Sequence, residues 1–136
     1  MSGYRWSRRS RERLATCDPD LILLFEEALS DPMCPSDMTV VCGHRGKAEQ
    51  DAAYARGASK LRYPKSRHNS MPSMAVDVAP YIDGGISWSW PHYYPLAGHI
   101  KRVWSRLKDE GRVSGALVWG GDWTRFKDGA HWQIDR

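Results

Sequence analysis

The chain has 136 residues, 41% of them hydrophobic and 26% charged, a size that supports one core of ordinary domain dimensions. No run of eighteen apolar residues is present, and the N-terminal residues 1–9 lack the apolar centre of a signal peptide, so no membrane span and no secretory leader are expected. The formal net charge of +4 is reached within residues 1–13, where five arginines (Arg5, Arg8, Arg9, Arg11, Arg13) stand against Glu12; the rest is balanced, which disfavours a nucleic-acid-binding module.

In chain order, the pattern predicts a helix over 8–16, then a second that Asp18 caps, with Pro19 at its first position and Leu21, Leu24, Phe25 and Ala28 as its apolar stripe. Residues 31–37 break it. Residues 39–42 read as a strand, and 47–56 as an alanine-rich helix stopped by Gly57. A long loop over 59–74 delivers His68. Residues 74–79 then alternate as a strand does, with Val76 and Val78 on one face and Ala75, Asp77 and Ala79 on the other. A turn at 83–85 and a short run over 86–88 lead into a helix over 94–110, with Leu96, Ile100, Val103, Trp104 and Leu107 on one side and Gly111 closing it. Residues 116–119 and 131–134 complete the sheet, separated by the glycine-rich 120–122 loop. The expected architecture is α+β: a small antiparallel sheet covered on one face by helices, with a zinc site on the other face, in one domain over 1–136.

Two histidines and a carboxylate, His68, Asp77 and His131, form an inventory that can hold a zinc ion, and Asp128 stands three residues before the last of them. A hydrolytic zinc site needs three protein ligands, a position for water and a nearby carboxylate to take the water's proton. Asp77 is flanked by small residues, and His131 shares a strand face with Gln133 while Trp132 and Ile134 turn to a core. Strands hold metal ligands more firmly than loops do. His92 and His99 read as surface or packing residues, and His44 as a cleft-lining residue that leaves the metal alone. Cys17, Cys34 and Cys42 are odd in number without paired metal spacing, which predicts free, partly buried thiols. Most tryptophans belong in the core, with one or two of Trp119, Trp123 and Trp132 at a cleft edge.

Five stretches occur together from about residue 40 onward: Val41-Cys-Gly-His-Arg45 with Glu49-Gln50, Ser66-Arg-His68, Ala75-Val-Asp77-Val-Ala-Pro80, Trp119-Gly-Gly-Asp-Trp123 and Asp128-Gly-Ala-His131-Trp-Gln133. In these the chain resembles phage endolysins of the zinc-dependent L-alanyl-D-glutamate peptidase kind, relatives of the D-Ala-D-Ala carboxypeptidases and dipeptidases with the hedgehog/DD-peptidase fold. The resemblance implies that His68, Asp77 and His131 bind Zn2+, and that Asp128 is the general base that later protonates the leaving amine. It implies that Arg45 binds substrate or the developing oxyanion, a role suited to a permanently charged planar donor. It further implies a bacterial peptidoglycan stem peptide as partner, a monomer, and a holin that releases the enzyme from the host cytoplasm to the periplasm and wall at lysis. Many relatives carry glutamate at the base position, and many have six residues between the first two ligands. Here eight separate His68 from Asp77, and the extra length lies in Asn69-Ser-Met-Pro-Ser-Met74, which reshapes the cleft rim.

Two other functions remain open at this level. The same chemistry cuts D-Ala-D-Ala if the site binds a free substrate carboxylate. Alternatively, the basic N-terminal segment marks a non-enzymatic wall-polymer or nucleic-acid binding domain, whose binding would be salt-sensitive and survive loss of zinc.

Overall fold

Ser7 and Asp18 start the first two helices of the computed structural model, which describes residues 1–136. The Ser7 hydroxyl accepts from Ser10 N at 3.1 Å and opens α1 (Arg8–Leu14); the Asp18 carboxylate accepts from Asp20 N at 2.9 Å and opens α2 (Pro19–Ser30). The chain continues through β1 (Asp37–Cys42), α3 (Lys47–Ala55), a 3-10 turn (Arg67–Asn69), β2 (Ala75–Ile82) and β3 (Gly85–Ile86). It ends with α4 (Trp90–Asp109), β4 (Ala116–Trp119), a second 3-10 turn (Gly120–Asp122) and β5 (His131–Asp135). Gly57 and Gly111 take positive φ, 77° and 72°, just beyond α3 and α4, where a side chain would be strained.

The strands pair antiparallel in the order β1-β2-β5-β4, with β3 folded back on β2. Their alternation sorts the side chains. Val76 pairs with Trp132 in register, and these two join Val78 and Ile134 in the buried cluster that α2 and α4 complete with Leu21, Leu24, Phe25, Ile100, Val103 and Leu107. Trp119 stacks on Trp132 at 5.8 Å between ring centroids and 22° between planes, so both indoles belong to the core. This is the α+β arrangement expected, a small antiparallel sheet with helices on its core face.

The largest departure is the start of α4, which begins at Trp90, four residues before the expected position. Pro91 and Pro95 suggest a boundary in the sequence. Inside the first turn, however, Pro91 forfeits no helical hydrogen bond, because those N–H groups have no partner four residues back. Only Pro95 gives one up, within a helix anchored by buried Tyr93, Leu96 and Ala97. His92 consequently lies in the first helical turn, hydrogen-bonded to the Ser87 hydroxyl at 2.6 Å.

Candidate active site

The sheet register assembles the site. Asp77 on β2 is paired directly with His131 on β5, and on its other side with Cys42 at the end of β1, so the three residues form one row across three neighbouring strands. Directly paired residues share a face, and theirs is opposite to the Val76–Trp132 pair that enters the core. His68 reaches the row from the 3-10 turn. Ser66 fixes that turn by accepting from His68 N at 3.2 Å, and Arg45 N donates to the His68 carbonyl at 2.7 Å. The His68 side chain is thereby sealed in, with 2% of the residue exposed.

Both histidine tautomers are set by the groups behind them. His68 Nδ1 lies 2.8 Å from the Gly43 carbonyl, which can only accept, so this nitrogen carries a proton and Nε2 is the ring nitrogen turned to Asp77. Gln133 donates its amide to Asp135 at 2.9 Å, which leaves its carbonyl oxygen facing His131 Nε2 at 2.8 Å. His131 Nε2 is therefore the donor, and Nδ1 the free nitrogen. These two ring nitrogens converge on one atom: His68 Nε2 is 3.2 Å and His131 Nδ1 3.4 Å from Asp77 Oδ1. Three acceptors at such separations require positive charge among them. Burial opposes charging His68, but the Asp77 carboxylate outweighs it and raises the imidazole well above its ordinary value. Burial likewise opposes the Asp77 charge, and the two imidazoles more than offset it, holding that carboxyl well below the usual range. Two neutral imidazoles with outward hydrogen bonds and one carboxylate are the donor set that zinc takes, so the residues fit the metal.

Asp128 completes a second set, its carboxylate lying within 4.8 Å of the donor atoms of Asp77 and His131, as the donor atoms of Cys42, His68 and Asp77 lie of one another. Its loop is clamped to the second 3-10 turn: Asp128 N donates to the Gly120 carbonyl at 3.0 Å, and a Cβ at Gly120 would collide with the Asp128 carbonyl. Burial first, and then the Asp77 charge, raise the Asp128 pKa above the ordinary value. Arg45 reaches the row from beyond β1, its guanidinium 3.4 Å from Asp77 Oδ2 and 3.0 Å from the carbonyl oxygen of the buried Gln50 side chain. Gln50 is itself anchored by donating to Ser59 Oγ and the Leu61 carbonyl.

These side chains open onto a cleft of about 780 Å³, whose walls include Arg45, Arg56, Lys60, Trp88, Trp123 and Phe126. All five residues singled out from sequence, His68, Asp77, Asp128, His131 and Arg45, line it. Of the three tryptophans considered for its edge, Trp123 alone stands there, 5.0 Å from the His131 ring, while Trp119 and Trp132 are core residues. His44 does not line the cleft; its backbone N–H donates to Thr16 Oγ. His99 is buried with Nε2 on the Ala28 carbonyl, a packing role. The sequence placed Cys42, Gly43 and Gln50 in a matched stretch but gave them no part in the site, and it gave none to Trp88. The alternation of β5 did signal Gln133, which stands two residues from His131 on the same face.

The family model for phage L-alanyl-D-glutamate peptidase matches residues 1–135. The chain belongs to that family. It is 37% identical over 127 residues to the L-alanyl-D-glutamate peptidase of Escherichia phage T5, a match covering 93% of this chain and 86% of that one. It is 32% identical over 106 residues to the peptidoglycan L-alanyl-D-glutamate endopeptidase CwlK of Bacillus subtilis, across 72% of this chain and 60% of that longer protein. Among solved structures, the Serratia marcescens L-Ala D-Glu endopeptidase ChiX superposes with a TM-score of 0.77 at 30% identity, covering 98% of this chain and 92% of the other. Membership in the L-alanyl-D-glutamate peptidase family makes this cleft, with its row of metal-competent side chains, the candidate active site of a peptidase.

Proposed function

We propose that the chain is a zinc endopeptidase, acting as one catalytic unit over residues 1–136, that hydrolyses the L-Ala–D-Glu bond of peptidoglycan stem peptides as a phage endolysin. The observation that carries the reading is the convergence of two tautomer-fixed imidazoles on the Asp77 carboxylate at the floor of a cleft, in a chain of this family. His68, Asp77 and His131 would hold the metal. Zinc in such a site supplies a Lewis acid for the scissile carbonyl and makes water acidic enough to attack near neutrality.

The chain's own residues supply the remainder. Asp128 takes the proton of the attacking water on a carboxylate oxygen and returns it to the departing D-Glu nitrogen; its raised pKa favours holding that proton between the two events. Arg45 braces Asp77 and lines the cleft, a setting that suits binding of the substrate carbonyl oxygen. Clamping of the Asp128 loop against Gly120 keeps the base in reach despite its short side chain. No helix is long and apolar enough to cross a membrane. The endolysin reading has the monomeric enzyme fold in the host cytoplasm and pass to the wall once a holin opens the membrane.

A defined stem peptide tests the bond assignment. Digestion should create a new D-Glu amino terminus, detected by mass spectrometry after amine labelling. Release of free D-Ala instead would move the cut to the stem terminus and replace this reading with a D-Ala-D-Ala peptidase.

A further inference from the structure

Four lysine and arginine side chains line the cleft, and two of them are committed within the protein. Arg45 pairs with Asp77 at 3.4 Å, and Arg67 with Asp135 at 3.1 Å. The other two, Arg56 and Lys60, are exposed and form neither an ion pair nor a side-chain hydrogen bond. The carboxylate on their side of the cleft, Glu49, is engaged elsewhere, accepting from Gly46 N at 3.2 Å in the cap of α3.

The fold holds these two cations in place. Arg56 ends α3, and Gly57, at φ 77°, turns the chain so that Ala58 N and Ser59 N both donate to the Ala53 carbonyl, at 2.9 and 3.2 Å. Gln50, 0% exposed, donates to Ser59 Oγ at 2.9 Å and to the Leu61 carbonyl at 2.6 Å, and so fixes the backbone on either side of Lys60. The same side chain accepts from Arg45, so Lys60 and Arg45 share one buried anchor. From there Lys60 reaches the opposite wall, with Nζ 4.9 Å from the centroid of the Phe126 ring. Phe126 stands two residues before Asp128, at a φ of 52° that is uncommon for a bulky residue; its ring lines the cleft, while its basic neighbours Arg125 and Lys127 do not. An ammonium resting on a ring keeps donors free for an anion.

The substrate supplies that anion. Asp128 returns its proton to the D-Glu nitrogen, and the carbon bearing this nitrogen also bears the D-Glu α-carboxylate, because the stem continues through the side-chain carboxyl. A negative charge brought so near the Asp128 carboxylate is repelled unless cations offset it. We propose that Lys60 and Arg56 form a subsite for this α-carboxylate, so that the cleft selects stem peptides in which the group is free over those in which it is amidated. This inference rests on the endopeptidase reading and adds its specificity. Lys60 meets the carboxylate as a point charge and Arg56 as a planar fork, whereas a carboxamide offers no charge and turns N–H donors toward two cations.

Two muramoyl tripeptides that differ only in the D-Glu α-group, carboxylate or carboxamide, test this with the zinc-loaded full chain. Wild type should cut the carboxylate form with a kcat/KM about fivefold or more higher, expressed mainly in KM, and added salt should narrow the gap. Lys60→Gln and Arg56→Gln should each shrink the ratio by losing rate on the carboxylate form, and the double variant should abolish it, with melting temperatures near that of wild type. Equal cutting of both peptides by wild type, or a ratio that survives the double substitution, overturns the subsite and leaves the endopeptidase reading standing. Failure of wild type to cut either peptide overturns that reading and this inference with it.

Discussion

Gln133 shows how much of the site's behaviour is decided one residue away from the chemistry. Its carbonyl faces His131 Nε2 at 2.8 Å while its amide is committed to Asp135, so the imidazole can turn only Nδ1 toward Asp77. Leucine at this position leaves the fold's apolar faces untouched but frees the ring to adopt either tautomer. Gln133→Leu should therefore weaken zinc binding about 10–100-fold, measured by calorimetric titration, with little change in melting temperature of the metal-free protein. Unchanged affinity would show that the tautomer is set elsewhere. At this scale the sequence pointed to all five of the residues that the fold brings to the cleft, His68, Asp77, Asp128, His131 and Arg45, through the order of the matched stretches, and strand alternation added its support for Asp77 and His131 alone. Cys42 was not so marked. Its approach depends on a one-residue slip in pairing, and strand periodicity carries no mark of a slip until the partner strand is known.

Among the elements, α2 shows the most direct link from sequence to stability. Asp18 caps its first turn and also receives both nitrogens of the Arg136 guanidinium at 3.1 Å, tying the start of the helix to the residue after β5. The hydrogen bond from Arg136 lowers the Asp18 pKa first, with burial working against it and the cap assisting. A carboxyl lowered below its unfolded value of about 3.9 contributes stability above about pH 4 and loses it as pH falls through the folded value. Asp18→Asn retains the cap but not the charge, and should cost about 1 kcal/mol at neutral pH, limited by the partly exposed guanidinium. In urea titrations the gap between variant and wild type should narrow progressively as pH falls below about 4; a gap independent of pH would contradict the ion-pair account. The cap and the proline after it were readable in advance, whereas the pairing with Arg136 joins residues 118 positions apart and leaves no local trace. The early start of α4 was hidden for the opposite reason, since Pro91 looks like a breaker and becomes harmless in a first turn.

For the molecule as a whole, the apolar pattern determined the layering, because each strand with a hydrophobic face had to meet α2 or α4. The excursion of residues 59–74 was visible only as a loop. Its capped 3-10 turn, built on Ser66 and Asn69, is what holds His68 against the row formed by the strands. The polar face thus brings His68, Asp77 and His131 together from two strands and one turn, and places the Asp128 carboxylate beside Asp77 and His131. In the proposed enzyme Asp128 moves protons while His68, Asp77 and His131 hold zinc. The most direct measurement is digestion of purified peptidoglycan by wild type and Asp128→Ala, with and without chelator, alongside the zinc content of each protein. The account predicts that both proteins bind zinc equally, that wild type alone liberates D-Glu amines and loses this activity with chelator, and that Asp128→Ala is slower by about 10²–10⁴-fold. A variant that cuts at the wild-type rate, or a wild type indifferent to metal, would contradict it.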